Sequence, residues 1–268
     1  MSLRQRFPTA TVLLVVLFVV LQWTPPVVFF CVLQVIIVIA LTEFYGLADR
    51  RNRHPRLAVG IPLAFLISAA FYVPSLPLGL ALFGVLFLSG LYFLATADTV
   101  EKVVTFPAGI ALTVFGAVYI SFTVNHLYLI QIERGPVFLY FFFGVIFLGD
   151  SGSFLFGKLW GRHKMTPLAS PNKTWEGSAG GLLFAVLGAV AARTLLLKQV
   201  GWADAALCGL FLHAVAQISD PVESLFKRAA GVKDSSNILP GHGGFLDRID
   251  SLLFAAPFFY YVIRYFWN

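Results

Sequence analysis

The residues best suited to chemistry lie in one polar stretch, from Ser219 to Asp250, of a chain that is otherwise mostly apolar. The stretch holds five of the thirteen acidic residues, which are Asp220, Glu223, Asp234, Asp247 and Asp250. It also holds four basic residues, which are Lys227, Arg228, Lys233 and Arg248. Carboxylates suit Mg²⁺, and lysine and arginine suit phosphate oxygens. The stretch therefore indicates a site for a metal-bound phosphate.

Asp220 allows two interpretations. The segment Asp220-Pro221-Val222-Glu223 is typical of a helix start, with an N-cap, a proline in the first turn and a glutamate three residues later. If the preceding helix instead continues, Asp220, Glu223, Ser224 and Lys227 fall on one face. The two interpretations are compatible, because broken helices are common at ion sites in membranes.

The segment Leu239–Gly244 contains three glycines around His242. Glycines permit a close backbone approach to a ligand, and turn N–H groups can bind phosphate. An ordinary flexible loop is the alternative. Asp250 is expected to lie at the N-terminus of the last helix, where a negative charge is stabilising. Asp247 is expected either to play the same part or to bind Mg²⁺.

Two upstream segments are also polar. Ser170–Gly177, which contains Lys173, is predicted either to set topology at the lipid headgroups or to clamp a polyphosphate. Asp150–Ser153 places small polar residues in an apolar run, which is typical of helix packing, although an aspartate needs a further reason. The sequence identifies no partner for Glu43.

The elements that must position these residues are membrane helices. The chain is 59% hydrophobic and only 12% charged, and its mean hydropathy is +0.84. We therefore predict an all-α, polytopic integral membrane protein with about nine transmembrane helices. The predicted spans are 8–22, 26–48, 57–74, 77–96, 103–124, 136–157, 177–197, 203–219 and 251–266.

The basic residues indicate the orientation. With a cytoplasmic N-terminus and nine spans, 15 of the 19 lysines and arginines face the cytoplasm, as the positive-inside rule requires. The C-terminus then lies on the opposite side. Loop 158–176 and the stretch 219–250 are cytoplasmic. The net charge of +6 thus reflects topology, and no nucleic-acid partner is expected.

The stretch from Ser224 to Asp250 resembles the signature of the phosphatidate cytidylyltransferases, the CDP-diacylglycerol synthases. The matching positions include Ser224, Lys227, Arg228, Lys233, Asp234, Pro240, His242, Gly243, Gly244, Asp247, Arg248 and Asp250. Ser170–Gly177 and Asp150–Phe154 are similar to other segments of that family, which more often has Asp-Thr-Gly-Ala-Tyr at the latter. The resemblance implies that CTP and phosphatidate give CDP-diacylglycerol and pyrophosphate, with Mg²⁺ as the cofactor and room for a second cation.

Roles carry over position by position from that resemblance. Asp220 and Asp247 are expected to bind the metal and, with Lys227 and Lys233, to serve catalysis. Binding of the substrates is expected of Arg228, Arg248, His242, Gly243, Gly244, Ser224, Lys173, Asp150 and Asp234. No general base is required, because a phosphomonoester with a second pKa of about 6 is already an anionic nucleophile. His242 is therefore expected to position substrate.

We expect one transmembrane domain in which residues 1–135 are mainly scaffold and residues 136–268 form the catalytic site. The resemblance further suggests a bacterial inner membrane, contact with membrane lipids and a homodimer. Two alternatives remain. One is a related CTP-dependent kinase or cytidylyltransferase acting on a polyprenol or another lipid. The other is an ion-coupled transporter, against which the one-sided distribution of polar residues argues.

Overall fold

The computed structural model describes residues 3–50, 54–238 and 243–267. The helices are α1 (Leu3–Trp23), α2 (Pro26–Asp49), α3 (Leu57–Tyr72), α4 (Leu78–Thr96), α5 (Val100–Ala117), α6 (Thr123–Arg134), α7 (Pro136–Trp160), α8 (Trp175–Leu195), α9 (Trp202–Ala229) and α10 (Leu246–Tyr265). A π-helical turn, Val118–Phe122, joins α5 to α6. Strands β1 (Lys164–Thr166) and β2 (Ser170–Thr174) pair antiparallel between α7 and α8.

Each predicted span is helical, although the span 103–124 runs from α5 through the π-helical turn into α6. Six helical segments of the described residues are long and apolar enough to cross a bilayer. Large apolar side chains such as Leu94, Val104 and Leu195 are more than two-thirds exposed on these helices, as expected where lipid covers the surface. The protein is an integral membrane protein built from helices. The count of nine crossings and the positions of the termini stay predictions.

Helix boundaries follow local chemistry where caps are present. Thr99 and Thr174 accept hydrogen bonds from the backbone N–H groups of Lys102 and Gly177, and so cap α5 and α8. Gly135, with a φ of 83°, separates α6 from α7, which begins at Pro136.

One predicted boundary was wrong. The predicted spans 103–124 and 136–157 leave residues 125–135 outside the membrane helices, but these residues are mostly the helix α6. The amide of Asn125 donates to Ser68 Oγ at 2.8 Å and accepts from Gln34 Nε2 at 3.1 Å, so it is satisfied inside the protein. The polar side chain of Asn125 therefore lies in a buried hydrogen-bond network.

The chain forms two compact units. The first unit comprises Met1–Tyr128 and Ala229–Arg248, and the second comprises Leu129–Arg228 and Ile249–Asn268. The predicted division of labour between residues 1–135 and 136–268 stays a prediction.

Each unit has its own core. In the first unit Ile37, Leu41 and Phe44 of α2 are buried with Ile67 of α3. In the second unit Phe141 of α7 stacks on Phe259 of α10 with ring centroids 5.6 Å apart, and α8 packs closely on α7 through glycines. A Cβ on Gly152, for example, would lie 2.6 Å from the Cβ of Phe184. These cores hold the polar residues described next.

Candidate active site

Asp220 lies in the interior of a helix of the second unit. Helix α9 continues past Pro221 to Ala229, so the continuous-helix interpretation is confirmed and the N-cap interpretation was wrong. Ser224 Oγ donates to Asp220 Oδ1 at 3.3 Å, one helical turn away. The ammonium of Lys173, on β2, lies 2.8 Å from Asp220 Oδ2. The polar segment Ser170–Gly177 thus contacts the polar stretch Ser219–Asp250 at Asp220.

Pro221 explains why Lys173 also reaches the backbone of α9. A proline has no N–H, so the carbonyl of Gln217, four residues earlier, lacks its helical donor. Lys173 Nζ donates to that carbonyl at 3.4 Å. The ammonium therefore satisfies both a carboxylate and an orphaned carbonyl, which fixes the position of Lys173.

The side chain of Gln217 extends this network to α7 and α8. Its amide nitrogen donates to the carbonyl of Ser178 at 3.1 Å and to Ser153 Oγ at 3.4 Å, and its amide oxygen accepts from Ser178 Oγ. His213, one turn earlier on α9, is fully buried, with Nε2 3.4 Å from Ser153 Oγ. These polar side chains connect α7, α8 and α9 next to Asp220 and Lys173.

Glu223 and Lys227 form a buried ion pair on α9. Their charged atoms are 2.5 Å apart, and their side chains are 1% and 8% exposed. Asp250 of α10 interacts electrostatically with this pair and with Asp220. Glu223 lies far inside α9, so its interpretation as a helix-start residue was wrong, whereas Asp250 lies one turn after the start of α10. The predicted contact of Lys227 with a phosphate stays a prediction.

Asp150 fits both of its interpretations. Gly149 and Gly152 make close approaches within the second unit, as small-residue packing requires. The Asp150 carboxylate also interacts electrostatically with Lys173 and Asp220. Asp150 therefore belongs to the polar cluster of the second unit, which we define as Asp150, Lys173, Asp220, Glu223, Lys227 and Asp250.

The charges of this cluster suit a divalent cation. Its four carboxylates outnumber its two ammonium groups. Among the residues that the structure describes, no three acidic, histidine or cysteine side chains converge as a ready-made metal site. Mg²⁺ needs none, because it is usually held by one or two carboxylates together with water and substrate phosphates. Whether this cluster binds Mg²⁺ stays a prediction.

The basic loop before α8 is more ordered than its sequence suggested. Glu176 accepts from the backbone N–H groups of Arg162 and His163, at 3.1 and 3.2 Å, and pairs with the His163 imidazole. Arg228 Nε donates to the carbonyl of Ala169 at 3.2 Å. These contacts hold the β1–β2 hairpin, from which Lys173 projects to Asp220.

Asp247 organises the signature segment in the first unit. It lies in the first turn of α10, and its Oδ2 accepts from Gly244 N at 2.8 Å, Ser235 N at 3.0 Å and Ser235 Oγ at 3.1 Å. Gly243 has a φ of 77°, which favours glycine. A Cβ on Gly244 would overlap Ser235 Oγ. Glycines are therefore required here by the turn itself.

The other predicted residues of this segment lie at its surface. Lys233, Asp234 and Arg248 are exposed, so their side chains are accessible from outside the first unit. His242 lies outside the described residues. Whether Asp247 binds a metal, and whether these residues contact a substrate, stay predictions.

Sequence reasoning missed Gln217 and Ser235, and it named Glu43 without finding its partner. Gln217 had a usable signal, because it stands four residues before Pro221 and so carries the carbonyl that the proline leaves without a donor. Ser235 and Glu43 had none, because they contact each other 192 residues apart.

Comparisons with known proteins identify similar sequences. The profile of the cytidylyltransferase family matches residues 4–266. The phosphatidate cytidylyltransferase of Bacillus subtilis (strain 168) is 38% identical over 191 residues, which are 70% of this chain and 68% of that protein. The phosphatidate cytidylyltransferase of Staphylococcus aureus (strain COL) is 44% identical over 127 residues, 47% of this chain and 48% of that protein. YnbB of Escherichia coli (strain K12), described as uncharacterized, is 37% identical over 188 residues, 66% of this chain and 62% of that protein.

Proposed function

Because the chain belongs to the cytidylyltransferase family, we propose that it transfers the cytidylyl group of CTP to phosphatidate. The products are CDP-diacylglycerol, a precursor for phospholipid synthesis, and pyrophosphate. The observation that carries the proposal is the match of the family profile to nearly the whole chain, together with the Bacillus relative. The protein is a nucleotidyltransferase embedded in a membrane, where its lipid substrate resides.

The chemistry requires two polyanions to approach each other. An oxygen of the phosphatidate phosphate attacks the α-phosphorus of CTP, and the bond from that phosphorus to the pyrophosphate oxygen breaks. The lipid phosphate is already anionic near pH 7, so no side chain must remove a proton. What the site must supply is positive charge for the transferred phosphoryl group and the leaving group.

The polar cluster of the second unit is suited to that task. We propose Asp220 as a ligand of Mg²⁺, with Asp150 nearby, and Lys173 as the group that holds Asp220 in place. Bound Mg²⁺ would neutralise the phosphate oxygens and assist departure of pyrophosphate. Asp247 as a further metal ligand, and a second cation, rest on the family resemblance.

The remaining basic residues of the signature complete the proposal. Lys233, Arg228 and Arg248 are proposed to contact the phosphates, and His242, Gly243 and Gly244 to line the nucleotide site. The excess of basic residues in the segments predicted to be cytoplasmic supports an active site on the cytoplasmic side of a bacterial inner membrane. A homodimer is proposed from the resemblance.

A labelled-nucleotide assay tests the reaction. The purified protein in detergent micelles with phosphatidate and Mg²⁺ receives CTP labelled at either the α- or the γ-phosphate. We expect the α-label in the lipid product and the γ-label in pyrophosphate. Label entering lipid only from the γ-phosphate would establish kinase chemistry instead. The same assay with a polyprenyl phosphate in place of phosphatidate tests the other lipid class.

A further inference from the structure

Glu43 connects α2 to the signature segment through four hydrogen bonds. Its Oε1 accepts from Ser236 Oγ at 2.6 Å and from Phe245 N at 2.9 Å. Its Oε2 accepts from Leu246 N at 2.7 Å and from Ser235 Oγ at 2.9 Å. All four donors belong to the segment 235–246, and all these contacts lie within the first unit. One carboxylate therefore contacts the segment at residues 235–236 and again at residues 245–246.

The environment of Glu43 makes these bonds strong. Glu43 is only 5% exposed, and Ser235 is 7% exposed. A buried carboxylate is costly unless it is hydrogen-bonded, and bonds to a charged acceptor are stronger than neutral ones. Two of the donors are the N–H groups at the start of α10, where a negative charge is also favoured by the helix dipole. Glu43 therefore fixes the point at which α10 begins.

The backbone of the segment packs tightly against the Glu43 carboxylate. A Cβ on Gly244 would lie 2.6 Å from Glu43 Oε2, so the backbone of the turn passes directly against the carboxylate. The backbone N–H of Ser235 donates to Asp247 Oδ2 at 3.0 Å, and the Ser235 hydroxyl lies 3.1 Å from the same oxygen. The conformations of Glu43, Ser235, Gly244 and Asp247 are thus mutually dependent, and a shift in Glu43 changes where Asp247 is held.

We propose that Glu43 is a positioning residue for cytidylyl transfer. It holds the segment 235–246, and through it Lys233, Asp247 and Arg248, in the arrangement that acts on the CTP phosphates, without contacting them itself. This inference rests on the proposed function for its catalytic part. Its structural part, the restraint of the segment, is independent of any activity.

Glu43→Gln is the most informative substitution. Glutamine has nearly the same shape but replaces one acceptor oxygen with an NH₂ donor. Each carboxylate oxygen accepts from one serine hydroxyl and one backbone N–H. A hydroxyl can rotate to accept a bond, but a backbone N–H cannot, so glutamine leaves one N–H facing a donor. Glu43→Asp keeps both acceptor oxygens on a shorter side chain and is expected to recover part of the loss.

Two measurements on purified, detergent-solubilised protein test the proposal. Limited trypsin digestion reports opening of the segment through cleavage after Lys233, which is exposed. We expect Glu43→Gln to raise that rate about 10- to 100-fold, because the opened population increases. In the labelled-CTP assay we expect kcat to fall about 100-fold with a smaller change in the KM for CTP, because misplacement acts on the transition state.

The controls separate positioning from general damage. Glu101→Gln removes the same charge from an exposed residue of the first unit and is expected to leave both readouts at the wild-type level. Ser236→Ala removes a single donor and is expected to change both readouts in the same direction but less, so it decides the matter should Glu43→Gln fail to fold.

Three outcomes are decisive. Unchanged cleavage in Glu43→Gln overturns the restraint, and faster cleavage with unchanged kcat overturns the catalytic part. A wild-type protein that transfers no cytidylyl group refutes the proposed function, and the cleavage comparison still decides whether Glu43 restrains the segment.

Discussion

Lys173 is the residue on which the polar cluster of the second unit depends. Its ammonium pairs with Asp220 and reaches the carbonyl of Gln217, which Pro221 leaves without a helical donor. The sequence indicated Lys173 only as part of a basic loop or a polyphosphate clamp. Its partners were not predictable, because the contact joins residues 44 or more positions apart through a hairpin that only the fold creates.

Removing the charge of Lys173 is therefore expected to displace the Asp220 carboxylate while the protein still folds. Lys173→Met leaves a carboxylate and a carbonyl without their donor, which costs about 1–3 kcal/mol. We expect cytidylyl transfer to fall about 100-fold, since the displaced Asp220 is the proposed metal ligand. Turnover and the thermal unfolding midpoint are measured together on the purified variant.

A matched control is Lys102→Met. Lys102 pairs with the exposed Asp98 at 2.6 Å, and such surface pairs contribute little. Lys102→Met is expected to retain wild-type turnover. Equal turnover in Lys173→Met and the wild type would refute the proposed role of Lys173.

At the scale of elements, hydropathy predicted where helices lie but not where they end. The apolar runs are local in sequence, so each predicted span is helical. The ends depend on partners from elsewhere. Residues 125–135 fell between two predicted spans, and one of the two interpretations of Asp220 broke α9 there. Hydrogen bonds nevertheless satisfy the polar groups at both places within helices. The short β1–β2 hairpin lacks enough residues for a strand pattern.

Pro221→Ala tests how α9 tolerates its proline. Alanine restores an N–H that can bond to the Gln217 carbonyl, and a proline within a helix is about 3 kcal/mol less favourable than alanine. We expect a higher unfolding midpoint together with lower cytidylyl-transfer turnover, because the restored bond displaces Lys173 from that carbonyl. Thermal unfolding and the labelled-CTP assay measure the two effects.

Pro107→Ala, an exposed proline inside α5, is the control. It should raise stability without changing turnover. A Pro221→Ala protein that gains stability and keeps full turnover would show that the bond from Lys173 to the backbone has no part in catalysis.

At the scale of the whole molecule, the distribution of lysines and arginines predicts the orientation in the membrane, and cysteine labelling can test it. Lys233 lies in a segment predicted to be cytoplasmic, and Lys198 lies in a loop predicted on the other side. Both are exposed. In a background with Cys31 and Cys208 replaced by serine, Lys233→Cys in intact cells should resist a membrane-impermeant maleimide, whereas Lys198→Cys should react. The reverse pattern would contradict the predicted topology.

The most direct test of the account is the stoichiometry of pyrophosphate release. Purified protein is incubated with phosphatidate, CTP and Mg²⁺, and pyrophosphate and CDP-diacylglycerol are measured in the same sample for the wild type and for Asp220→Asn. We expect equal molar amounts of the two products from the wild type and loss of most of both in the variant. A wild-type protein that forms neither product, or an Asp220→Asn protein with wild-type yields, would contradict it.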